Sequence, residues 1–235
     1  MDGSPVANAK AFKGLSRSRS GDRTGIALDA LRRSLFDNQV RPGDCLSENG
    51  LARSLGMSRT PVREAVKVLA SEGLLEIHHG VGIFVKPVTT REIVDLFEVR
   101  AALECAALPT AMAHISDQEL DAVLEAWLAQ KRRLDAGETL DPDQISELDF
   151  NLHFLIVDRC ENLFLKHTMN SIRLKIKRYQ RISARALADD WDAVDQHVKI
   201  LACMKRRDLD ALAKVLKEHI RNAAENIIRN PHWAV

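Results

Sequence analysis

The chain has 235 residues, of which 46% are hydrophobic and 29% charged, a globular composition well outside the disordered regime. No apolar run approaches the roughly 20 residues of a membrane span, and the basic N-terminus lacks the apolar core of a secretory signal, so a cytoplasmic protein is expected. The net charge of +1 excludes a polycation that would bind nucleic acid by charge alone.

The charge is unevenly distributed. Residues 1–85 hold 12 Lys and Arg against 9 Asp and Glu, whereas residues 86–235 hold 22 against 24. Residues 1–22, with the Ser/Arg-rich run "KGLSRSRSGDR", have no hydrophobic periodicity and read as a disordered tail. From Thr24, the residues Ile26, Leu28, Leu31 and Leu35 recur at helical spacing to about Asn38, before the turn "RPGD". Ser47 caps a second helix, which Gly56 stops. Ser58 caps a third, with Pro61 tolerated in its first turn and Val62, Ala65, Val66 and Leu69 facing inward up to Gly73. The segment "LLEIHHGVGIFVKP" reads as two short strands around Gly80 and Gly82. Helix, helix, tight turn, helix and hairpin form a winged helix-turn-helix over residues 23–87.

Beyond the Pro87–Thr89 linker, residues 88–235 read as an all-helical bundle of about six helices. The first opens at Thr90, carries Ile93, Phe97 and Leu103 inward, and contains a candidate kink at Pro109. A capping box at Ser116–Glu119 opens a helix ending at Gly137. The Asp141-Pro142 pair opens one running to about Cys160. Further helices start near Asn162, Asp190 and Asp208, the last ending near Asn230-Pro231. The expected fold class is therefore mainly α: three helices with a β-hairpin wing, then an all-α domain.

Two groups of residues carry chemistry. Ser58, Arg59, Thr60 and Arg63 crowd the exposed start of the third helix, the end that enters the major groove in a helix-turn-helix. There they offer hydroxyls to phosphates and guanidinium forks to base edges; a solvated face with two surface arginines is the plain alternative. The glycine-tipped hairpin at His79-Gly80 favours the DNA-reading one. In the helical part, Asp149 and His153 lie four apart on one helix face. His197 shares a stripe with Val194 and Leu201, and His219 one with Leu212, Val215, Leu216 and Ala223. A satisfied core histidine accounts for any single one. Three inward histidines on three helices, one paired with a carboxylate, need shared partners, and one cation satisfies all of them. An Asp/His₃ set suits zinc, nickel, manganese or iron, and ligand softness does not choose among them. Arg100 sits on the apolar stripe of Ile93 and Phe97, as a clamp for a carboxylate or in an ion pair with Glu104. His78, His114, His167 and His232 fit no such pattern. Arg173, Lys175, Lys177, Arg178 and Arg181 read as a solvated helix face. Cys45, Cys105, Cys160 and Cys203 are far apart with no CxxC pair, which argues against a zinc-thiolate site and suits a reduced compartment.

The stretch "LARSLGMSRTPVREAVKVLASEGLLEIHHGVGIFV" resembles the DNA-binding domain of the GntR family of bacterial transcription regulators, over about residues 25–86. The resemblance implies a homodimer on palindromic operator DNA. It further implies base or phosphate contacts from Arg59, Thr60 and Arg63, a phosphate contact from Ser58 and a wing contact from His79-Gly80. Asn49 stands where the family usually has an arginine, in "SENGLARSLG" against "SERELAERLG", and Gly50 weakens that helix. The motifs "DLFEVRAALE", "DFNLHF" and "EHI", with the 22-residue step from His197 to His219, resemble the FCD effector domain of the FadR subfamily. That resemblance implies a divalent metal on Asp149, His153, His197 and His219, a small organic-acid effector met by Arg100, and a repressor released by its ligand. Two alternatives remain at this level: the same DNA binder with a structural or metal-sensing site, and, in a different class, a metal-dependent hydrolase. An H-E-x-x-H arrangement or other second catalytic group is missing from the sequence for the latter.

Overall fold

A computed structural model describes residues 22–36, 39–186 and 192–229. The expected tail at residues 1–22 lies almost wholly outside them. So do the expected helix boundaries at Asn38, Asp190 and Asn230-Pro231, and His232. The chain divides into two compact units between Val88 and Thr89.

The first unit contains α1 (Arg23–Phe36), β1 (Cys45–Leu46), α2 (Glu48–Leu55), α3 (Arg59–Ser71), β2 (Leu75–His78) and β3 (Gly82–Val85). Ser47 caps α2, accepting from Gly50 N at 3.1 Å. Gly56 ends it at φ +62°, where Met57 N donates back to Ala52 O at 2.9 Å; an L side chain at that φ is strained. Ser58 occupies the N-cap position of α3, but its side chain makes no capping bond, so the hydroxyl stays available at the exposed helix end. Val62, Ala65, Val66 and Leu69 are buried against Ala27, Leu31 and Leu35 of α1. The sheet has three strands in the order β1-β3-β2, all antiparallel. The expected hairpin is present as β2 and β3, and β1 adds a third strand to it. Cys45 pairs with Phe84 and Leu46 with Ile83, a long-range pairing too short to leave a period-two pattern in the sequence.

The second unit is a bundle of α4 (Thr90–His114), α5 (Asp117–Asp135), α6 (Pro142–Arg159), α7 (Leu163–Ala186), α8 (Asp192–Lys205) and α9 (Leu209–Arg229). Caps set most of the starts: Thr89 for α4, the reciprocal Ser116–Glu119 box for α5, and Asp141 with Pro142 for α6. Asp208 caps α9, accepting from Ala211 N at 3.0 Å. Pro109 lies inside α4, which the structure assigns as one continuous helix. Arg207, at φ +56° in the turn between α8 and α9, donates to the carbonyls of Met112 and Ile115 at 2.5 and 2.8 Å. That side chain satisfies the open C-terminal end of α4 and fixes the turn that aligns α8 with α9. The core between the helices is apolar, with Trp127, Leu152, Val194, Leu201, Leu212 and Leu216 fully buried.

The cationic row on α7 is not the solvated face its sequence suggests. Lys175 pairs with Glu92 of α4 at 2.9 Å, and Lys177 and Arg181 pair with Glu147 and Asp143 of α6 at 2.8 and 3.0 Å. Arg173 lies 4.2 Å over the Phe154 ring, and Arg178 is buried. The reason is packing: α7 lies against α6, α9 and α4, so these side chains meet carboxylates and rings of neighbouring helices instead of water.

Candidate metal centre and nucleic-acid interface

In the first unit, Ser58, Arg59, Thr60 and Arg63 are all exposed at the N-terminal end of α3, while Pro61 and Val62 between them are buried. The nearby acid Glu64 is taken by Lys67 at 2.9 Å, so it does not neutralise the two arginines. Asn49 is exposed on α2 and shares an open hollow with Arg53, Met57, Ser58 and Arg59. His79 and Gly80 form the β2–β3 turn; Gly80 has φ +75° and nothing within 4 Å of where a Cβ would stand. This tip is exposed, and so is Val81 beside it. Here the chain offers donors at a helix N-terminus and a narrow loop whose backbone can approach a second surface closely.

In the second unit, three helices bring Asp149 and His153 (α6), His197 (α8) and His219 (α9) together, with one ligand atom of each within 4.8 Å of the others. Asp149 Oδ1 stands 3.0 Å from His153 Nε2, 3.1 Å from His197 Nε2 and 3.8 Å from His219 Nε2. The opposite ring nitrogen of each histidine has its own acceptor. His153 Nδ1 donates to Glu104 Oε2 at 2.5 Å, His197 Nδ1 to Ala193 O at 2.6 Å and His219 Nδ1 to Gln196 Oε1 at 3.0 Å. Gln196 Nε2 donates in turn to Asp192 at 2.6 Å, which fixes the amide with its oxygen towards His219. Trp127 stacks on the His197 ring, centroids 3.9 Å apart and planes 9° from parallel.

These second partners assign the tautomers. With Nδ1 carrying the proton on all three rings, the Nε2 lone pairs converge on a carboxylate oxygen. His153 Nε2 and His219 Nε2 are buried without a hydrogen-bond partner. Four electron-pair donors facing one point repel one another unless a cation or proton sits among them. When protons on the facing nitrogens, and not an ion, sit among them, burial still opposes the Asp149 carboxylate, but the bonds those protons make from His153, His197 and His219 outweigh it and hold its pKa well below the usual range. Burial, reinforced by His197, pushes His219 down to about 3, and burial likewise lowers His197. His153 goes the other way: burial and Arg100 push it down, but Glu104 and Asp149 raise it on balance. The donor set, its geometry and its tautomers fit a divalent ion of the zinc, nickel, manganese or iron type.

Arg100 is completely buried. Its Nε donates to Glu104 Oε1 at 2.7 Å, and its Nη2 lies 3.9 Å from Asp149 Oδ1. Both Nη atoms are left without hydrogen-bond partners. The ion pair weighed from the sequence is therefore present, and it leaves two donors of the same guanidinium uncommitted. A cavity of about 30 Å³ opens on Asp149, His197 and His219, and Ser146, Gln180 and Gln196 also line it. Arg100 is not on its wall.

Sequence reasoning reached the four clustered residues but missed the shell around them. Gln196 and Trp127 left no signal, since a glutamine beside a histidine and a buried tryptophan are ordinary in helices. Glu104 was visible only as the i+4 partner of Arg100, and Ser146 could have been found three residues before Asp149 on the same face of α6.

Residues 26–85 match the family described as bacterial regulatory proteins, gntR family, and residues 95–222 match the FCD domain. The Nta operon transcriptional regulator of Aminobacter aminovorans is 32% identical over 197 residues, covering 83% of this chain and 90% of that protein. The HTH-type transcriptional repressor RspR of Escherichia coli K12 is 28% identical over 197 residues, covering 84% and 85%. Among solved structures, E. coli McbR/YncC superposes with a TM-score of 0.73 at 21% identity, covering 91% of this chain and all of that one. A GntR regulator from Rhodococcus sp. RHA1 gives 0.71 at 21% identity, covering 89% and 99%. These relatives are transcriptional regulators, not enzymes. No helix among the described residues is long and apolar enough to cross a membrane.

Proposed function

This chain belongs to the gntR family of bacterial regulatory proteins and carries an FCD domain, and from that premise we propose a repressor whose operator affinity is set by a small carboxylate at a metal centre. Residues 23–87 form the DNA-binding domain in this reading, behind a tail at 1–22, and residues 88–235 the effector and dimerisation domain. Two copies bind a palindromic operator. Arg59, Thr60 and Arg63 read bases and phosphates, Ser58 holds a phosphate through its free hydroxyl, and His79-Gly80 touches the neighbouring groove.

The observation that carries the reading is the convergence of Asp149 Oδ1 with three Nε2 atoms whose opposite nitrogens are all engaged. Asp149, His153, His197 and His219 would hold the metal, with zinc first among the candidates. The bound ion would supply a Lewis acid with a coordination position open to a carboxylate oxygen. Charge supports the ligand class. Arg100, Glu104 and Asp149 together carry one net negative charge in a buried setting. A divalent ion turns that to one positive charge, and a single carboxylate neutralises it. Arg100, expected as the clamp for the acid, supplies the positive charge of that balance from 3.9 Å beside Asp149 and off the cavity wall, so in this account it acts on the acid through its charge and not by direct contact.

An effector regulates only through different affinities for DNA-competent and DNA-incompetent states. Fluorescence anisotropy on an operator selected from a random duplex pool tests this, using stripped and zinc-loaded protein against a panel of short carboxylic acids. Release by one acid class, and only with zinc present, is the expected result. DNA affinity indifferent to every acid in the zinc-loaded protein would sink the effector reading. The small cavity favours a second reading, in which the metal is structural or is itself the signal; release or tightening by zinc alone would support it.

A further inference from the structure

Two polar side chains beside the quartet take no part in holding it. Ser146 precedes Asp149 by three residues on α6, Gln180 lies on α7, and both line the cavity that opens on Asp149, His197 and His219. They are 2% and 1% exposed. Ser146 Oγ and both Gln180 Oε1 and Nε2 have no hydrogen-bond partner. A buried amide unmatched at both ends is costly and rare in a folded protein. Gln196, on the same cavity wall, is the contrast: its oxygen meets His219 and its nitrogen meets Asp192. One glutamine is committed to the histidine set, and the other points donor and acceptor at nothing in the described protein.

Charge narrows what they could meet. Asp149 is the single formally charged side chain among the described residues lining the cavity. Among the cations of α7, Lys177 pairs with Glu147 and Arg181 with Asp143, and the buried Arg178, whose charge is felt by Tyr179 and Glu92, is off the cavity wall. Arg100 lies off the cavity wall, bonded to Glu104. A second carboxylate on the ligand would therefore be desolvated without a counter-charge. A hydroxyl, which both donates and accepts, would match an amide and a second hydroxyl. The small cavity, about 30 Å³, favours a compact acid over a long one.

We propose that Ser146 and Gln180 are the specificity-determining residues of the effector site, selecting a compact monocarboxylate that bears a neutral hydroxyl next to its carboxylate. This rests on the quartet being the acid-binding metal centre. Neither residue is a metal ligand, so zinc content and acid selectivity separate in the test.

Calorimetric titration of the full-length, zinc-loaded protein with propionate, lactate and malonate compares a bare acid, its hydroxy acid and a diacid of the same length. Lactate should bind about tenfold more tightly than propionate, and malonate no more tightly than propionate. Ser146→Ala and Gln180→Met should each bring lactate towards propionate while propionate affinity and zinc content stay unchanged. An independent readout needs no ligand: removing the unmatched amide in Gln180→Met should raise the melting temperature of the ligand-free protein by about 2–4 °C. Equal binding of the three acids, tightest binding of malonate, or a lower melting temperature for Gln180→Met would each overturn the inference and leave the metal-acid reading standing. Zinc retained with no binding of any of the three acids would overturn both.

Discussion

At the scale of single residues, the candidate metal centre depends as much on what faces away from it as on what faces in. Each imidazole is aimed by a bond on its far side, and the partners differ: a buried carboxylate for His153, a backbone carbonyl for His197 and a fixed amide for His219. Loss of such an orienting partner usually weakens metal affinity by about 10–100-fold. Glu104→Gln is therefore expected to do so, measured by chelator competition, with Trp127 emission as a convenient signal from its stack on His197. A Glu104→Gln protein that holds zinc as tightly as wild type would mean Glu104 serves only to neutralise Arg100. On the DNA side, Arg63→Ala should cost about 1–3 kcal/mol of operator binding and leave metal content unchanged, read by anisotropy and by elemental analysis of the same preparation. The convergence of Asp149, His153, His197 and His219 was legible because helical spacing puts each on an inward stripe. The parts played by Glu104, Gln196 and Trp127 were not, because they exist only once α4 packs against α6, α8 against α9 and α5 against α8.

At the scale of elements, local signals were strong wherever a cap or a glycine fixes the backbone. Ser47, Gly56, the Ser116–Glu119 box and Asp141-Pro142 each bound a helix where the sequence indicates, and α4 opens at Thr90 with the linker residue Thr89 as its cap. Strand β1 escaped for the opposite reason, since two residues defined by pairing with β3 have no local pattern to read. Gly56 offers a clean test of the turn between α2 and α3. Nothing lies within 4 Å of an added Cβ, so Gly56→Ala meets only the left-handed backbone penalty, about 1–2 kcal/mol; Gly56→Asn should recover part of it in denaturant unfolding. The α5 capping box makes a pH-dependent contribution. Arg159 bonds Glu119 directly and Ser116 adds two more bonds, lowering the Glu119 pKa from 4.5 to about 2. A depressed carboxylate stabilises the fold fully above its unfolded pKa, and that contribution fades as pH falls through the folded value. Glu119→Gln should therefore be less stable than wild type near neutrality, with the gap in melting temperature closing between about pH 4.5 and pH 2. A gap constant across that range would show that the charge of Glu119 contributes nothing.

At the scale of the whole molecule, the two units divide the labour of a regulator. The first offers uncompensated arginines and a free hydroxyl at a helix start, and the second buries a donor set that a cation would complete. The division was legible in the sequence because each unit has its own punctuation and its own motif. The α7 cations read as a solvated face because their spacing looks amphipathic until α4 and α6 supply Glu92, Glu147 and Asp143. If the quartet holds an ion, the metal contributes to the stability of the native state by mass action, about 2.7 kcal/mol at a hundredfold excess over its dissociation constant. Chelation should then lower the melting temperature, and reloading should restore it. The most direct measurement is the zinc content of the full-length protein after equilibrium dialysis against micromolar zinc, beside Asp149→Ala and His219→Ala. The account predicts one ion per chain in the wild type and a large loss in both variants, with operator binding by the metal-free proteins retained. No ion in the wild type, or equal zinc in all three proteins, would contradict it.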